Sequence, residues 1–423
     1  MDRRDFIKLS ALVFVSSLLP LGFSGWAAGL ATEAQLDTKS RKRFIVLFQR
    51  GAVDGLNLVI PFNESLYYDA RPSIAIPNPG ATLGSLEIDS TFALHPALQS
   101  MISLWKRKTL AYVHACGSPN PTRSHFEAQD YMETGTPGER NTKDGWLNRL
   151  LAVLSSNHNL TKGTINAVNI GSNLPRIMHG QMSVATLPSS QNTKRYSITD
   201  QPKIAKEFEQ LYKTDKDLEE AYREGIKARE QLIKDLDEER IVADNGAPQP
   251  KGFAANCDRL AKVIARDQTI QIAFLDVGGW DTHINQGSST GQLANHLKEF
   301  GEGVSALAKG LEDAYEHTII VVISEFGRTV HENGHGGTDH GHGNVMWVLG
   351  GPVKGGKVYG QWPGLNKSSL YEQRDLAITT DFRHVLGYLV TKHFGLPETS
   401  LSVIFPNTPA VSASSKRYFE GLI

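Results

Sequence analysis

The segment spanning residues 331 to 344, HENGHGGTDHGHGN, concentrates side chains that could bind a metal ion. It contains four of the fourteen histidines of the chain, together with five glycines. Composition leaves two interpretations open, a metal site and a polar surface loop, because histidine-rich tracts only hint at metal binding. Asp339, His340 and His342 lie directly before an apolar run and are the predicted ligands. The other two histidines are expected to face solvent in a glycine-rich loop, namely His331 and His335.

Further acidic and histidine side chains follow apolar runs elsewhere in the chain. Asp54 lies in QRGAVDGLN, Asp281 and His283 lie in DVGGWDTHINQ, and Glu325 lies in ISEFGRT. Each of them could instead belong to a polar surface turn. Carboxylates and imidazoles without thiolates suit zinc, manganese, magnesium or calcium, so we expect divalent metal ions of one of these kinds.

A serine in the segment CGSPNPTRSHFEAQDYMETG is a candidate nucleophile. Ser124 stands at the predicted N-terminus of a helix, where backbone N–H groups and the helix dipole favour an anion. The alternative is an ordinary helix cap, since Glu127 three residues later completes a capping box. Arg123 beside the serine, and Arg328 after Glu325, could pair with the oxygens of a phosphate or sulfate ester.

Most of these side chains follow stretches that are predicted to be buried strands. A strand buried on both faces has a continuous apolar sequence, and helices that alternate with such strands favour a mainly parallel α/β sheet covered on both faces. Ligands gather at the carboxyl ends of the strands in such sheets, which would bring the clusters together. The predicted strands occupy residues 44–48, 109–117, 269–279, 318–327 and 343–351, and the predicted helices occupy residues 95–108, 294–316 and 381–395.

Charge and cysteine content limit the partners and the cross-links. The chain has 423 residues with 44 basic and 45 acidic side chains, so no field that would attract nucleic acid is expected. Cys116 and Cys257 are too few for a thiolate metal site. They are either one disulfide or two buried thiols, and the sequence favours neither.

The N-terminus has the pattern of an export signal. Arg3 and Arg4 precede an apolar run over residues 9–23, which is too short and too interrupted for a stable membrane span. The paired arginines resemble the signal read by the twin-arginine export machinery, which implies a periplasmic or secreted protein. We therefore expect a signal over residues 1–31 and one domain over residues 32–423. Within that domain, the charged residues 199–250 form a predicted helical insertion, with a partner-binding coiled coil as the alternative.

Six motifs in order resemble domain-of-unknown-function family 1501, which is often exported by the twin-arginine route. They are FQRGAVDGLNLVIPF, RSHFEAQDYMETG, GGWDTH, SEFGRT, GTDHGHG and GGPVKGGKVYG. That family is similar to the alkaline phosphatase and sulfatase superfamily, so the resemblance implies a three-layer alkaline-phosphatase-like fold with a mainly parallel central sheet. It also implies that Asp54 is a metal ligand and that Ser124 is the nucleophile, with Ser118 and Thr122 as alternatives.

The resemblance implies an exported, metal-dependent hydrolase of phosphate or sulfate esters. Its substrate would be a small anionic ester or a sulfated or phosphorylated glycan. Two positions depart from the superfamily pattern, because Asp281 and His283 are two residues apart rather than four and because Phe326 follows Glu325 where a histidine is expected. These losses favour the alternative function, a non-catalytic envelope or polysaccharide-associated protein on the same fold.

Overall fold

A nine-stranded sheet forms the centre of the part of the chain described by the computed structural model, which comprises residues 41–157, 166–171, 173–188 and 252–423. The predicted export signal over residues 1–31 and the predicted helical insertion over residues 199–250 lie outside these residues. We number the strands of this sheet in chain order: β1 Arg43–Gln49, β2 Leu110–Gly117, β3 Ala167–Ile170, β4 Ala185–Leu187, β5 Ile272–Val277, β6 Thr318–Ser324, β7 Asn344–Leu349, β8 Lys357–Tyr359 and β9 Thr380–Asp381.

The strands are mainly parallel, with one reversal. Their order is β8-β2-β7-β6-β1-β5-β3-β4, and β9 also pairs with β2. Strand β1 is central and pairs in parallel with β5 and β6. Strand β7 is antiparallel to both of its neighbours, β2 and β6. The beginning of β7 therefore lies at the edge where the neighbouring strands end.

Helices cover both faces of the sheet, because alternate residues of each strand face opposite sides. In β1, Ile45 and Leu47 pack into one apolar cluster, and Phe44, Val46 and Phe48 pack into the other. The longer helices are α1 His125–Thr134, α2 Trp146–Asn157, α3 Phe253–Arg266, α4 Gln292–Gly310 and α5 Phe382–Phe394. Helices α3 and α4 cover the first face, and α2 and α5 cover the second. The predicted three-layer α/β fold is confirmed.

The five strands predicted from apolar runs are confirmed as β1, β2, β5, β6 and β7, and two predicted helices correspond to α4 and α5. The remaining predicted helix, over residues 95–108, consists of the 3-10 turn Pro96–Met101 followed by the short α-helix Ile102–Lys106. The shorter elements are the α-helices Gly55–Leu58, Ser65–Ala70, Ile102–Lys106, Leu401–Ile404 and Ala413–Lys416, the 3-10 turns Pro96–Met101, Arg176–Met178, Glu312–His317, Lys367–Ser369 and Glu398–Ser400, and a small sheet of Val59–Ile60, Leu86–Glu87 and Ala93–Leu94.

Burial decides the predictions for the two cysteines and for two loop histidines. Cys116 and Cys257 are both free and buried, so the buried-thiol interpretation is the right one. His331 and His335 are exposed, as predicted. None of the helices in the described part of the chain combines the length and the apolar character that crossing a bilayer requires.

Candidate metal centre

Side chains from several loops meet at one edge of the sheet. Strand β5 leads into Asp281 and His283, β6 leads into Glu325, and the loop before the reversed strand β7 contains His340. Helix α1 begins at His125, in the connection that follows β2. The polar side chains that follow these strands therefore lie close together at the carboxyl ends of the parallel strands, as expected for a mainly parallel sheet.

Four ligand atoms converge at this edge. His340 Nε2 lies 2.9 Å from His125 Nε2 and 3.0 Å from His283 Nε2. Asp281 Oδ1 lies 3.1 Å from His283 Nε2, 3.4 Å from His340 Nε2 and 3.5 Å from His125 Nε2. The ligand atoms of His125, Asp281 and His340 all lie within 4.8 Å of one another, and His283 Nε2 lies next to two of them. We call these four residues the metal centre.

The other ring nitrogen of each histidine faces an oxygen that accepts hydrogen bonds. A neutral imidazole carries one N–H, so Nδ1 is the donor and Nε2 keeps its lone pair. This is the arrangement by which proteins orient metal-binding histidines. The three acceptors are Glu325 Oε1 at 2.8 Å for His125, the carbonyl oxygen of Arg123 at 2.8 Å for His340, and Asp339 Oδ1 at 3.3 Å for His283.

The metal centre fits a divalent cation on physical grounds. Each of the three imidazole Nε2 atoms lies 2.9–3.5 Å from another imidazole Nε2 and from the Asp281 carboxylate oxygen, and these lone pairs repel one another unless a positive charge lies among them. A tetrahedral zinc ion with ligands at about 2.1 Å separates those ligands by about 3.4 Å, which is close to the spacing found. Desolvation and the neighbouring His125 lower the pKa of His340, which keeps its ring neutral and able to bind a cation.

Glu325 is not one of the converging ligands, but its carboxylate accepts a hydrogen bond from one of them, His125. Its fully buried carboxylate accepts bonds on Oε1 from His125, from the backbone N–H of Gly51 at 2.8 Å and from Gln129 Nε2 at 2.9 Å. Burial alone would raise the pKa of Glu325, but the bonds from His125 and Gln129 outweigh it and hold that pKa below its usual value. In turn, the hydrogen bond to Glu325 raises the pKa of His125.

Arg328 holds the loops of the site together and is not free to bind an anion. Its side chain is fully buried and donates to Asp281 Oδ1 at 2.5 Å, so it fixes the orientation of that carboxylate. Burial would raise the pKa of Asp281, but the Arg328 guanidinium lowers it below its usual value. The expected anion-binding role of Arg328 is thus replaced by a positioning role. It also donates to four backbone carbonyls, those of Gly51, Ala52, Trp280 and Thr338.

Asp54, a predicted metal ligand, is bound by other side chains instead. Its carboxylate is buried and accepts two bonds from Arg71, at 2.6 Å and 3.1 Å, and one from Gln286 Nε2 at 2.7 Å. Because a buried charge requires a partner, the Arg71 guanidinium supplies the positive charge that a metal ion was expected to supply. The structure therefore does not bring Asp54 into the metal centre.

Ser124 is exposed, and its side chain does not form the predicted capping box. It is the N-cap residue of α1, yet its side chain makes no capping hydrogen bond. The Glu127 carboxylate accepts a bond from Thr122 Oγ1 at 2.8 Å and also pairs with Arg140. The serine hydroxyl is therefore not committed to the cap and directly precedes the ligand His125.

Arg123 and His342 lie together beside the metal centre. Arg123 donates to Asp375 at 2.7 Å and to the exposed Glu372 at 2.6 Å. His342 is buried and stacks on the ring of Tyr371 at a centroid distance of 4.4 Å, with the Arg123 guanidinium 5.9 Å from the same ring. Burial lowers the pKa of His342. His342 thus packs against an aromatic ring instead of joining the four converging residues.

The sequence prediction missed one residue of the metal centre and gave supporting residues as ligands. Asp281, His283 and His340 converge as expected, whereas Glu325 and Asp339 bind the Nδ1 atoms of ligand histidines. His125 was missed because the sequence pattern at this helix start pointed to Ser124, as a nucleophile or as a helix cap. The available signal was its place at the first turn of a helix that begins at the same edge of the sheet.

Comparisons with known proteins identify a family. The family described as "Protein of unknown function (DUF1501)" matches residues 41–404. No curated protein matches the chain.

Solved structures match weakly. The C-terminal periplasmic domain of EcEptC from Escherichia coli, in complex with Zn, is 10% identical, with a TM-score of 0.36 and coverage of 74% of each chain. PsFucS1 sulfatase from Pseudoalteromonas sp. is 12% identical, with a TM-score of 0.36 and coverage of 99% of this chain and 80% of that one. A protein in the alkaline phosphatase superfamily from Vibrio parahaemolyticus is 12% identical, with a TM-score of 0.33 and coverage of 83% and 69%. Scores of this size carry no argument about activity.

Proposed function

The chain belongs to the DUF1501 family, and we propose that it is an exported, metal-dependent hydrolase of phosphate or sulfate esters. The observation that carries this proposal is the convergence of two imidazole nitrogens and one carboxylate oxygen, from His125, His340 and Asp281, with the His283 nitrogen next to two of them. Each imidazole is oriented by an acceptor at its Nδ1 atom. Oriented lone pairs that converge in this way are the arrangement that binds catalytic metals.

We propose that His125, Asp281, His283 and His340 hold one zinc or manganese ion. Three imidazole donors fit these metals, whereas magnesium and calcium prefer oxygen ligands. When bound, such an ion supplies Lewis-acid polarisation of the ester oxygens. The metal centre is open, since the Asp281 side chain is 46% exposed and the His283 side chain 36% exposed, which leaves a path for the anionic group of a substrate.

Ser124 is the proposed nucleophile. Its hydroxyl is exposed, lies outside the capping role and adjoins a metal ligand at the N-terminus of α1. The serine oxygen would form a bond to phosphorus or sulfur as the ester bond breaks, and the leaving alcohol would take the proton. The positive end of the helix dipole would stabilise the negative charge on the transferred group. Water would then release that group from the serine.

Arg123 is the proposed anion-binding residue. Asp375 is buried and fixes one side of its guanidinium, while Glu372 is exposed and can be displaced from the other side by a substrate oxygen. A guanidinium with one fixed and one exchangeable partner stays oriented while it exchanges ligands. Arg328 has no comparable freedom, because it is fully buried.

The test uses the exported protein purified without chelators. We expect about one equivalent of zinc or manganese by elemental analysis, and hydrolysis of a phosphate or sulfate ester from a panel. Ser124→Ala should abolish turnover and retain the metal, and His125→Ala should lose the metal. As a control, the exposed Ser414→Ala should change neither measurement. Protein without metal, or Ser124→Ala with full activity, would refute the mechanism.

A non-catalytic envelope protein is the second candidate. The pairing of Asp54 with Arg71, and of Arg328 with backbone carbonyls, favours it because two expected members of a catalytic site have structural partners instead. A metal centre that binds its ion stoichiometrically but hydrolyses no phosphate or sulfate ester would support this candidate.

Export is proposed from the N-terminal pattern alone. Arg3→Lys together with Arg4→Lys should retain the protein in the cytoplasm, because the twin-arginine machinery requires the arginine pair. Cell fractionation measures this, and unchanged periplasmic recovery would exclude that route.

A further inference from the structure

A cavity of about 370 Å³ lies between α5 and the C-terminal residues 398–419. Its volume falls within the range of small-molecule binding sites, which is about 300–1,000 Å³. None of the described residues that line it belongs to the metal centre. The cavity is therefore a separate feature, and a ligand bound there goes beyond the proposed function.

Hydrogen bonds and ring packing hold the two sides of the cavity together. His384 Nε2 donates to the carbonyl oxygen of Pro409 at 2.8 Å, and the hydroxyl oxygen of Tyr388 accepts from the backbone N–H of Gly421 at 2.9 Å. The Tyr388 ring also packs edge-to-face on the Phe419 ring, with the two centroids 5.7 Å apart. Helix α5 and the C-terminal segment are thus fixed against each other, so the cavity is preformed and a ligand does not have to open it.

The wall of the cavity is largely apolar. The buried rings of Tyr388, Phe405 and Phe419 lie behind it. Leu401 and Val411 are half-buried and pack against the same apolar cluster as these rings. An aliphatic chain in the cavity would cover the accessible part of this wall and would itself leave water, and both changes favour binding.

The charged side chains that line the cavity leave one positive charge in excess. Arg383 already has a partner, since it pairs with Asp381 at 2.6 Å. Lys392 and Lys416 form no ion pair with a carboxylate of the described residues. Glu398 is the one acidic side chain among the described lining residues. Two unpaired amines and one carboxylate complement a ligand with a single negative charge.

We propose that this cavity binds the anion of a medium-chain fatty acid, with its chain against the apolar wall and its carboxylate paired with Lys392 or Lys416. The volume sets the length of the chain. A cavity of about 370 Å³ has room for about twelve water molecules at about 30 Å³ each. Decanoate, a carboxylate with ten carbon atoms, is of this size.

The test measures binding of decanoate to the purified protein by calorimetry, below the concentration at which decanoate forms micelles. Acetate carries the same charge without the chain, and decyltrimethylammonium carries a chain of the same length with the opposite charge. We expect decanoate to bind at one equivalent with a dissociation constant of about 100 μM or below. Acetate and decyltrimethylammonium should each bind at least about tenfold more weakly, because each lacks one of the two complementary features.

A pair of neighbouring variants locates the bound decanoate. Ser402→Trp places a bulky ring on a residue that lines the cavity, so it should abolish decanoate binding. Val403→Trp is the matched control, because Val403 is 53% exposed on the same short helix, Leu401–Ile404, and is not a lining residue. It should keep the parent affinity, and circular dichroism establishes that both variants fold.

A charge variant tests the pairing without filling the cavity. The double variant Lys392→Gln with Lys416→Gln should weaken decanoate binding about fivefold, the effect of losing an exposed ion pair. Lys309→Gln, on the exposed face of α4, should leave the affinity unchanged.

Three results would overturn the proposal. They are the absence of saturable decanoate binding, equal affinities for decanoate and decyltrimethylammonium, and equal losses of binding in Ser402→Trp and Val403→Trp. Because none of the described lining residues belongs to the metal centre, the zinc content of every variant should equal that of the parent.

Discussion

Replacing Glu325 by glutamine should weaken metal binding without removing a ligand. The substitution keeps the shape of the side chain and an oxygen that can still accept from Gly51, His125 and Gln129. It removes the buried negative charge that makes His125 Nε2 a stronger electron-pair donor to the proposed metal ion. A charged hydrogen bond contributes about 1 kcal/mol more than a neutral one, and the loss of basicity in the ligand adds to this. We therefore expect zinc affinity to fall about ten- to hundredfold.

The assay is a competition titration of zinc between the apoprotein and a chromophoric chelator. Glu299→Gln, on the exposed face of α4, is the matched control and should leave the affinity unchanged. Circular dichroism and unfolding of the apoprotein establish that each variant folds. A folded Glu325→Gln variant with the parent affinity would refute the argument that the carboxylate orients a metal ligand.

Three further predictions concern other parts of the same framework. Gln129→Leu removes one donor to Glu325 and should weaken zinc binding severalfold, less than Glu325→Gln does, in the same titration. Asp54→Ala leaves Arg71 buried without its carboxylate partner, so it should lower the free energy of unfolding by about 3–5 kcal/mol. The zinc stoichiometry should stay at the parent value. Loss of zinc from a folded Asp54→Ala variant would show that Asp54 is a metal ligand. Burial lowers the pKa of His114 to about 4, so between about pH 6.5 and pH 4 the unfolded chain binds a proton on this ring and the folded chain does not. The free energy of unfolding therefore falls as the pH drops through this range. His114→Gln should reduce the dependence of that free energy on pH by up to about 1.4 kcal/mol per pH unit, as measured by denaturation across the range.

The sheet could be predicted because its strands are buried on both faces. The run Phe44 to Phe48 is continuously apolar, and so is the sequence Thr318 to Ser324 apart from its ends. Strands of a parallel sheet that is covered on both faces have this continuous apolar pattern. The direction of β7 could not be predicted, since the apolar pattern of Asn344 to Leu349 is the same whether the strand is parallel or antiparallel.

The sequence identified residues of the metal centre that lie next to a predicted strand. It misassigned residues whose side chains are bound by partners distant in the chain. Asp281 and His340 were found because each lies next to a predicted strand. Asp54 meets the same criterion, but its partner Arg71 stands 17 residues away, and nothing in the sequence pairs the two. His125 was missed because the start of α1 was interpreted only through Ser124, as a nucleophile or as a helix cap.

The distance along the chain between the ligands sets the order in which the site can form. His125 and His340 are 215 residues apart, and the other two ligands lie between them. Bringing such distant segments together is slow and becomes favourable only after the strands that carry them have paired. We therefore expect the proposed metal ion to bind late in folding, after the central strands that carry its ligands have paired.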